Sequence, residues 1–133
     1  MGSGIGSWFG IEDYQFCIHD LKDRTVFDNG ILEPHHVRSV RILVEYRNES
    51  RQSLRHSMMQ WMVCDRSGFC YESEIRTQFY EEDAPRRLKE GMVAPGERIR
   101  GWVAFSPTQF AVLSVVKFRS SGMSDRVLSI PLT

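Results

Sequence analysis

Long apolar runs are missing from this chain of 133 residues: the longest, such as the stretch around Ala111-Val112-Leu113, reach four or five residues. A membrane-spanning helix needs roughly 20, so none is expected. Charge of one sign is also lacking, with 17 Lys plus Arg against 17 Asp plus Glu. The balance holds along the chain: 8 basic against 9 acidic residues up to Arg66, then 9 against 8. That excludes the electrostatic footprint of a nucleic-acid binder or of a chain held on an anionic membrane by charge. The catalytic signatures are absent too, for there is no G-x-S-x-G elbow, no P-loop and no H-E-x-x-H pair. His19 falls on the outer side of its strand and His35, His36 and His56 lie in polar loops, so no enzyme, resident metal or cofactor is expected.

Cysteine is sparse and odd in number, at three, which favours reduced thiols or one bridge plus one free thiol. Cys64 and Cys70 flank the turn signal Asp65-Arg66-Ser67-Gly68-Phe69. With a five-residue loop they face each other across a hairpin; with a four-residue loop Cys64 faces Phe69 and Cys70 points to the opposite side. The strict geometry of a disulfide weighs against the bridge. The opening Met1-Gly2-Ser3-Gly4-Ile5-Gly6-Ser7 has neither a basic nor an apolar leader region. Residues 1–10 therefore read as a flexible lead or a cloning scar, and residues 11–133 as one domain.

Present instead is period-two alternation, broken at short intervals by turn residues. From Trp8 to His19, Tyr14, Phe16 and Ile18 oppose Gln15, Cys17 and His19. In the strand Val37 to Arg47, Val40, Ile42, Val44 and Tyr46 share a core face, while Arg41, Glu45 and Arg47 share a wet one. The polar stretch Asn48 to Ser57 reads as a loop, and Met58 to Cys64 as a strand paired to Phe69 through Ile75. A charged segment, Gln78 to Gly91, lies outside the pattern and has room for a short helical turn. Pro95-Gly96 marks a tight turn. Beyond it, Ile99, Gly101, Val103 and Phe105 oppose Arg98, Arg100 and Trp102. Val112 to Arg119 and Val127 to Leu132 complete about seven short strands, as in an antiparallel β-sandwich or barrel. The expected core is Phe16, Ile18, Val40, Ile42, Val44, Trp61, Val63, Val103, Phe105, Val116 and Phe118.

The strand and turn Val40-Arg41-Ile42-Leu43-Val44-Glu45-Tyr46-Arg47-Asn48-Glu49-Ser50 resembles the V-x-V-x-V-x-N-x-S element of a family of bacterial immunoglobulin-like domains. Trp61 through Tyr71, with Asp65 and Gly68 in its turn, is similar to that family's F-x-L-x-D-x-x-G-x-x-Y hairpin. Pro95 through Phe105 is similar to its P-G-x-x-x-x-G-x-V-x-F segment. Many members are envelope lipoproteins or secreted proteins of unknown function, and the mycobacterial immunoprotective extracellular antigen is a structural relative. The resemblance implies an immunoglobulin-like sandwich over roughly Ile11 to Leu132 and a place in the cell envelope or outside the cell. The odd cysteine count and the missing leader leave the cytoplasm open.

A sandwich hosts many roles, so function must come from particular residues. His56, Met58, Met59, Met62 and Cys64 lie within nine residues, and soft donors suit Cu(I). Methionine fills irregular cores far more often, so periplasmic copper handling stands as the alternative. Arg47-Asn48-Glu49-Ser50-Arg51 and Asp65-Arg66-Ser67 touch the pattern of a cyclic-dinucleotide receptor, but a solvated turn explains them better. Arginine supplies 14 of the 17 cations, and Arg98, Arg100 and Trp102 share an outward side; such residues dominate protein interfaces. Trp102 should either reach solvent or lie under the Gln78 to Gly91 segment, whose Glu81, Glu82 and Asp83 are at hand for the arginines. The chain is therefore expected to be a non-catalytic binding or accessory module with a protein partner, its site built on Trp102, Arg98 and Arg100.

Overall fold

Alternation becomes two facing sheets. The computed structural model describes residues 3–29, 34–74, 87–121 and 126–132. Among the described residues ten strands run in chain order: β1 Trp8–Ile11, β2 Tyr14–Asn29, β3 Pro34–Arg47, β4 Leu54–His56, β5 Trp61–Asp65, β6 Cys70–Glu72, β7 Gly91–Val93, β8 Arg98–Phe105, β9 Leu113–Arg119 and β10 Val127–Pro131. They form an antiparallel β-sandwich of one sheet ordered β1-β2-β3-β8, a second ordered β10-β9-β5-β6, and a small β4-β7 pair. Between the sheets lie all the residues expected in the core, each fully buried. Burying such side chains contributes about 1.5–3 kcal/mol apiece, an upper estimate because the unfolded chain is itself partly compact.

At the centre is a polar knot. The Tyr46 hydroxyl donates to Gln60 Oε1 at 2.5 Å and accepts from Trp61 Nε1 at 2.8 Å, while Gln60 Nε2 donates to Tyr14 at 3.3 Å and to the Ser120 carbonyl at 2.9 Å. Burial pushes the Tyr46 phenol well up, so it stays protonated. Satisfied internally, the knot ties both sheets to one register.

Several local expectations are corrected. Trp8 to His19 is two strands, because Glu12, at φ 56°, turns the chain between β1 and β2. Residues ahead of Ile11 are held on the sheets: β1 pairs with β2, and the Gly4 N–H donates to the Pro131 carbonyl. Met58–Gln60 is a turn of 3-10 helix rather than strand, held by a capping box in which Ser57 accepts from Met59 N–H and Gln60 reaches back to Ser57 N–H. Inside the expected polar loop, Leu54–His56 forms β4 against β7. Cys64 and Cys70 stand opposite each other in the β5–β6 register and are joined in a disulfide, so the five-residue loop is the one adopted. Cys17 is the remaining thiol and is buried. Most of the charged segment, residues 78–86 with Glu81, Glu82 and Asp83, lies outside the described residues.

Gly101 and Asn48 do what their types suggest. A Cβ on Gly101 would meet Leu88 Cα at 2.7 Å, so only glycine lets residues 87–88 lie along β8. Asn48 accepts from Ser50 N–H and donates to the carbonyls of Gln52 and Val93, closing the turn after β3.

Candidate functional site

On the outward side of the first sheet, strand register assembles a row. Trp8 pairs with Cys17, Cys17 with Glu45 and Glu45 with Arg100, one residue from each of four neighbouring strands. Gln15, Arg47 and Arg98 form the next row, and Asp20, Leu43 and Trp102 the row on the other side. Between Ile18 and Asp20 the register slips, so His19 is the extra residue of a bulge. A bulge re-aims its side chain, and here His19 Nε2 lies 2.6 Å from Glu45 Oε1.

Glu45 is the hub. Arg100 donates to Oε1 at 2.9 Å, and Arg98 lies 3.6 Å from Oε2. Glu45 is 5% exposed. Burial alone would push its carboxyl up, but the hydrogen bonds and charges of Arg100 and His19 outweigh that and hold it below the usual range. Its two arginine partners differ in kind from a buried pair: their side chains are 60% and 49% exposed for Arg98 and Arg100. Their guanidinium ends keep donors open to water while they face the buried carboxylate, so each has capacity for a second anion without leaving Glu45. Beside them, Arg47 donates twice to Gln15 Oε1 and lies 4.3 Å over the ring of half-exposed Trp8.

Trp102 is placed in this face but is 3% exposed. Residues 87–88 run along its backbone, with Leu88 N–H donating to the Trp102 carbonyl at 2.8 Å and Arg87 bridging to it. Lys22 Nζ lies 5.1 Å and Arg41 Cζ 5.9 Å from the indole centroid, a cation–π arrangement. The face is drier than alternation suggests, because such long stems lie flat over the sheet instead of standing into water; Arg41 is 1% exposed. Structure thus brings Arg98 and Arg100 together at a surface and sets Trp102 beneath it.

Cys17, His19 and Glu45 follow the order nucleophile, base and acid, with Cys17 Sγ 3.8 Å from His19 Nδ1. With Nε2–H donating to the carboxylate, Nδ1 is left to accept from the thiol. Burial, then the Glu45 charge, pushes the Cys17 thiol up, which favours its protonated form. The row was hidden from sequence: His19 and Glu45 show the right parity, but only the bulge and the strand pairing bring them into contact.

The copper donor set is not assembled. Cys64 is oxidised, Met58 sits in the 3-10 turn while Met62 is on β5, and among the described residues no group of three or more His, Cys, Asp or Glu side chains is placed to hold a metal. Arg47, half of the arginine pair considered for a cyclic dinucleotide, is occupied by Gln15, Glu49 and Trp8.

No family model and no curated protein matches the chain. Solved structures do. The yjhA protein of Bacillus subtilis is 14% identical with a TM-score of 0.71, the match covering 97% of this chain and 98% of that one. MPT63, a secreted protein of Mycobacterium tuberculosis, is 16% identical at TM-score 0.66, covering 97% and 96%. A candidate lipoprotein of Bacillus subtilis, ycdA, is 10% identical at TM-score 0.70, with 95% of this chain matched to 38% of that one. At such identities the likeness is one of fold, and the chain shares its β-sandwich with bacterial proteins that include a secreted one.

Proposed function

We propose that this chain is a non-catalytic binding module acting in the bacterial cell envelope or outside the cell, and that Arg98 and Arg100 are its contacts to an anionic surface of a protein partner. One observation carries the reading: two half-exposed guanidiniums stand side by side on a sheet face and share the single carboxylate of Glu45. Each can accept a partner carboxylate while Glu45 keeps the other charged group in place. Trp102, buried in the next row along β8, packs under Lys22 and Arg41 and is part of the sheet face that carries the arginines. The Cys64–Cys70 disulfide supports an oxidising compartment, and the secreted and candidate lipoprotein neighbours support the same placement.

A photo-crosslinking residue at position 98 tests this in the native host, with the same residue at Lys117, on the outward side of the other sheet, as the control. A discrete adduct formed at 98 and lost in Arg100→Ala is expected. An adduct from 117 with none from 98 would move the interface to the other sheet.

A further inference from the structure

One end of the sandwich carries apolar side chains that the fold holds out in water. The β5–β6 turn, residues 66–69, and the loop of residues 106–112 are stitched together there: Arg66 N–H donates to the Val112 carbonyl at 2.9 Å, and the hydroxyls of Tyr71 and Thr108 lie 3.2 Å apart. Phe69 is 61%, Phe110 88% and Val112 52% exposed. We propose that these two joined loop tips are a shallow docking surface for a lipid bilayer, entered by Phe69 and Phe110.

Three features support this occupant. Exposure is built in rather than slack, since both loops are braced from behind. Asp65 Oδ1 accepts from the Ser67 N–H, the Ser67 hydroxyl and the Phe69 N–H, and the disulfide closes the hairpin below. On β3, toward the turn end of the β2–β3 hairpin, the Arg38 guanidinium donates to the carbonyls of Thr108 and Ala111 and to both Asp23 oxygens. Ordered tips lose little freedom on binding.

Charge is nearly absent. Residues 66–71 and 106–112 carry one ionisable charge, Arg66, and the neighbouring Asp65 carboxylate is already engaged by the donors of its own turn and by Tyr71. Arg66 and the adjacent Asp65 carboxylate offset one another, so the tips present no net charge of either sign to a phosphate-rich interface.

The third feature is area. An aromatic side chain offers about 150–250 Å², so the two phenylalanines at these exposures present on the order of 300 Å². A stable protein interface takes about 800 Å² from each partner. A second copy or a folded partner would find too little apolar surface here, whereas a bilayer needs only side chains that reach about 5–10 Å into its boundary. Behind Val112 a cleft of about 350 Å³ runs back between Ile5, Leu21, Leu113 and Leu132, with the paired Asp23 and Arg38 on its wall. Contact of this size is reversible, because lasting attachment needs two such signals.

Vesicles of phosphatidylcholine and phosphatidylglycerol at millimolar lipid, with the oxidised full chain, provide the test. Phe110→Trp should shift its emission to the blue and be quenched by brominated lipid. Phe69→Ala combined with Phe110→Ala should lower vesicle partition at least about fivefold with an unchanged melting temperature. Arg98→Gln should leave partition unchanged, so failure here is separable from failure of the arginine site. Unmoved emission, or partition retained in the double variant, overturns the proposal. A concentration-dependent dimer abolished by the double variant, with no vesicle binding, would assign the tips to a second copy instead.

Discussion

Ile42 and Arg41 are neighbours in sequence and opposites in direction, yet both are buried. Ile42 faces the inter-sheet core, so Ile42→Asp or Val44→Asp leaves an unpaired carboxylate there at a cost of several kcal/mol, comparable with the whole 5–15 that holds a domain together. Loss of the cooperative unfolding transition is the expected outcome. Alternation alone marks Arg41 as freely replaceable. Its place over the Trp102 indole says otherwise, and Arg41→Asp should lower the urea midpoint. Trp102→Ala removes buried packing rather than a partner contact, so it should lower stability by about 3–5 kcal/mol in urea unfolding. Crosslinking from position 98 should survive wherever the variant remains folded.

Elements depend on how closely chains approach. Gly101→Ala drives a methyl into the Leu88 backbone, 2.7–2.8 Å from its Cα and N. Backbone cannot rotate away as a side chain can, so about 1–3 kcal/mol of destabilisation is expected by calorimetry. The β5–β6 hairpin rests on its disulfide, and Cys64→Ser with Cys70→Ser should cost about 2 kcal/mol, the loop being short. Thiol titration of the intact chain should find no reactive group when native and one, Cys17, in denaturant.

The same scale shows what sequence could and could not convey. Strand β8 was legible from end to end because its alternation is strict and Pro95-Gly96 fixes its start. The Met58–Gln60 turn carries a local signature, Ser57-x-x-Gln60, that marks a capping box; only the bonds of Gln60 to Tyr46 and Tyr14 are set by tertiary contacts. Arg98 and Arg100 were legible as a pair by parity alone. Their carboxylate partner was not, because Glu45 lies 55 residues before Arg100 and meets it only through strand pairing.

Across the whole molecule, acid should be the weak side of stability, and in two stages. Burial pushes the His56 imidazole below its ordinary value, so the folded chain resists a proton that the unfolded chain takes up near pH 6.5. Its contribution is complete above that pH and drains away as pH falls through the folded value. Glu45 is likewise held below its ordinary value, and its share is complete above about 4.3 and lost beneath it. Both shifts have the same sign, so neither group weakens the fold as pH rises toward 8. Urea midpoints measured from pH 8 down to 3 should therefore fall gently below about 6.5 and more steeply below about 4.3. His56→Gln should flatten the first limb and Glu45→Gln the second, whatever either does to stability at neutral pH. Salt should weaken only the second limb, because the Glu45 arginines reach solvent while the shift of His56 comes first from burial. A first limb that persists unchanged in His56→Gln would assign it to another group.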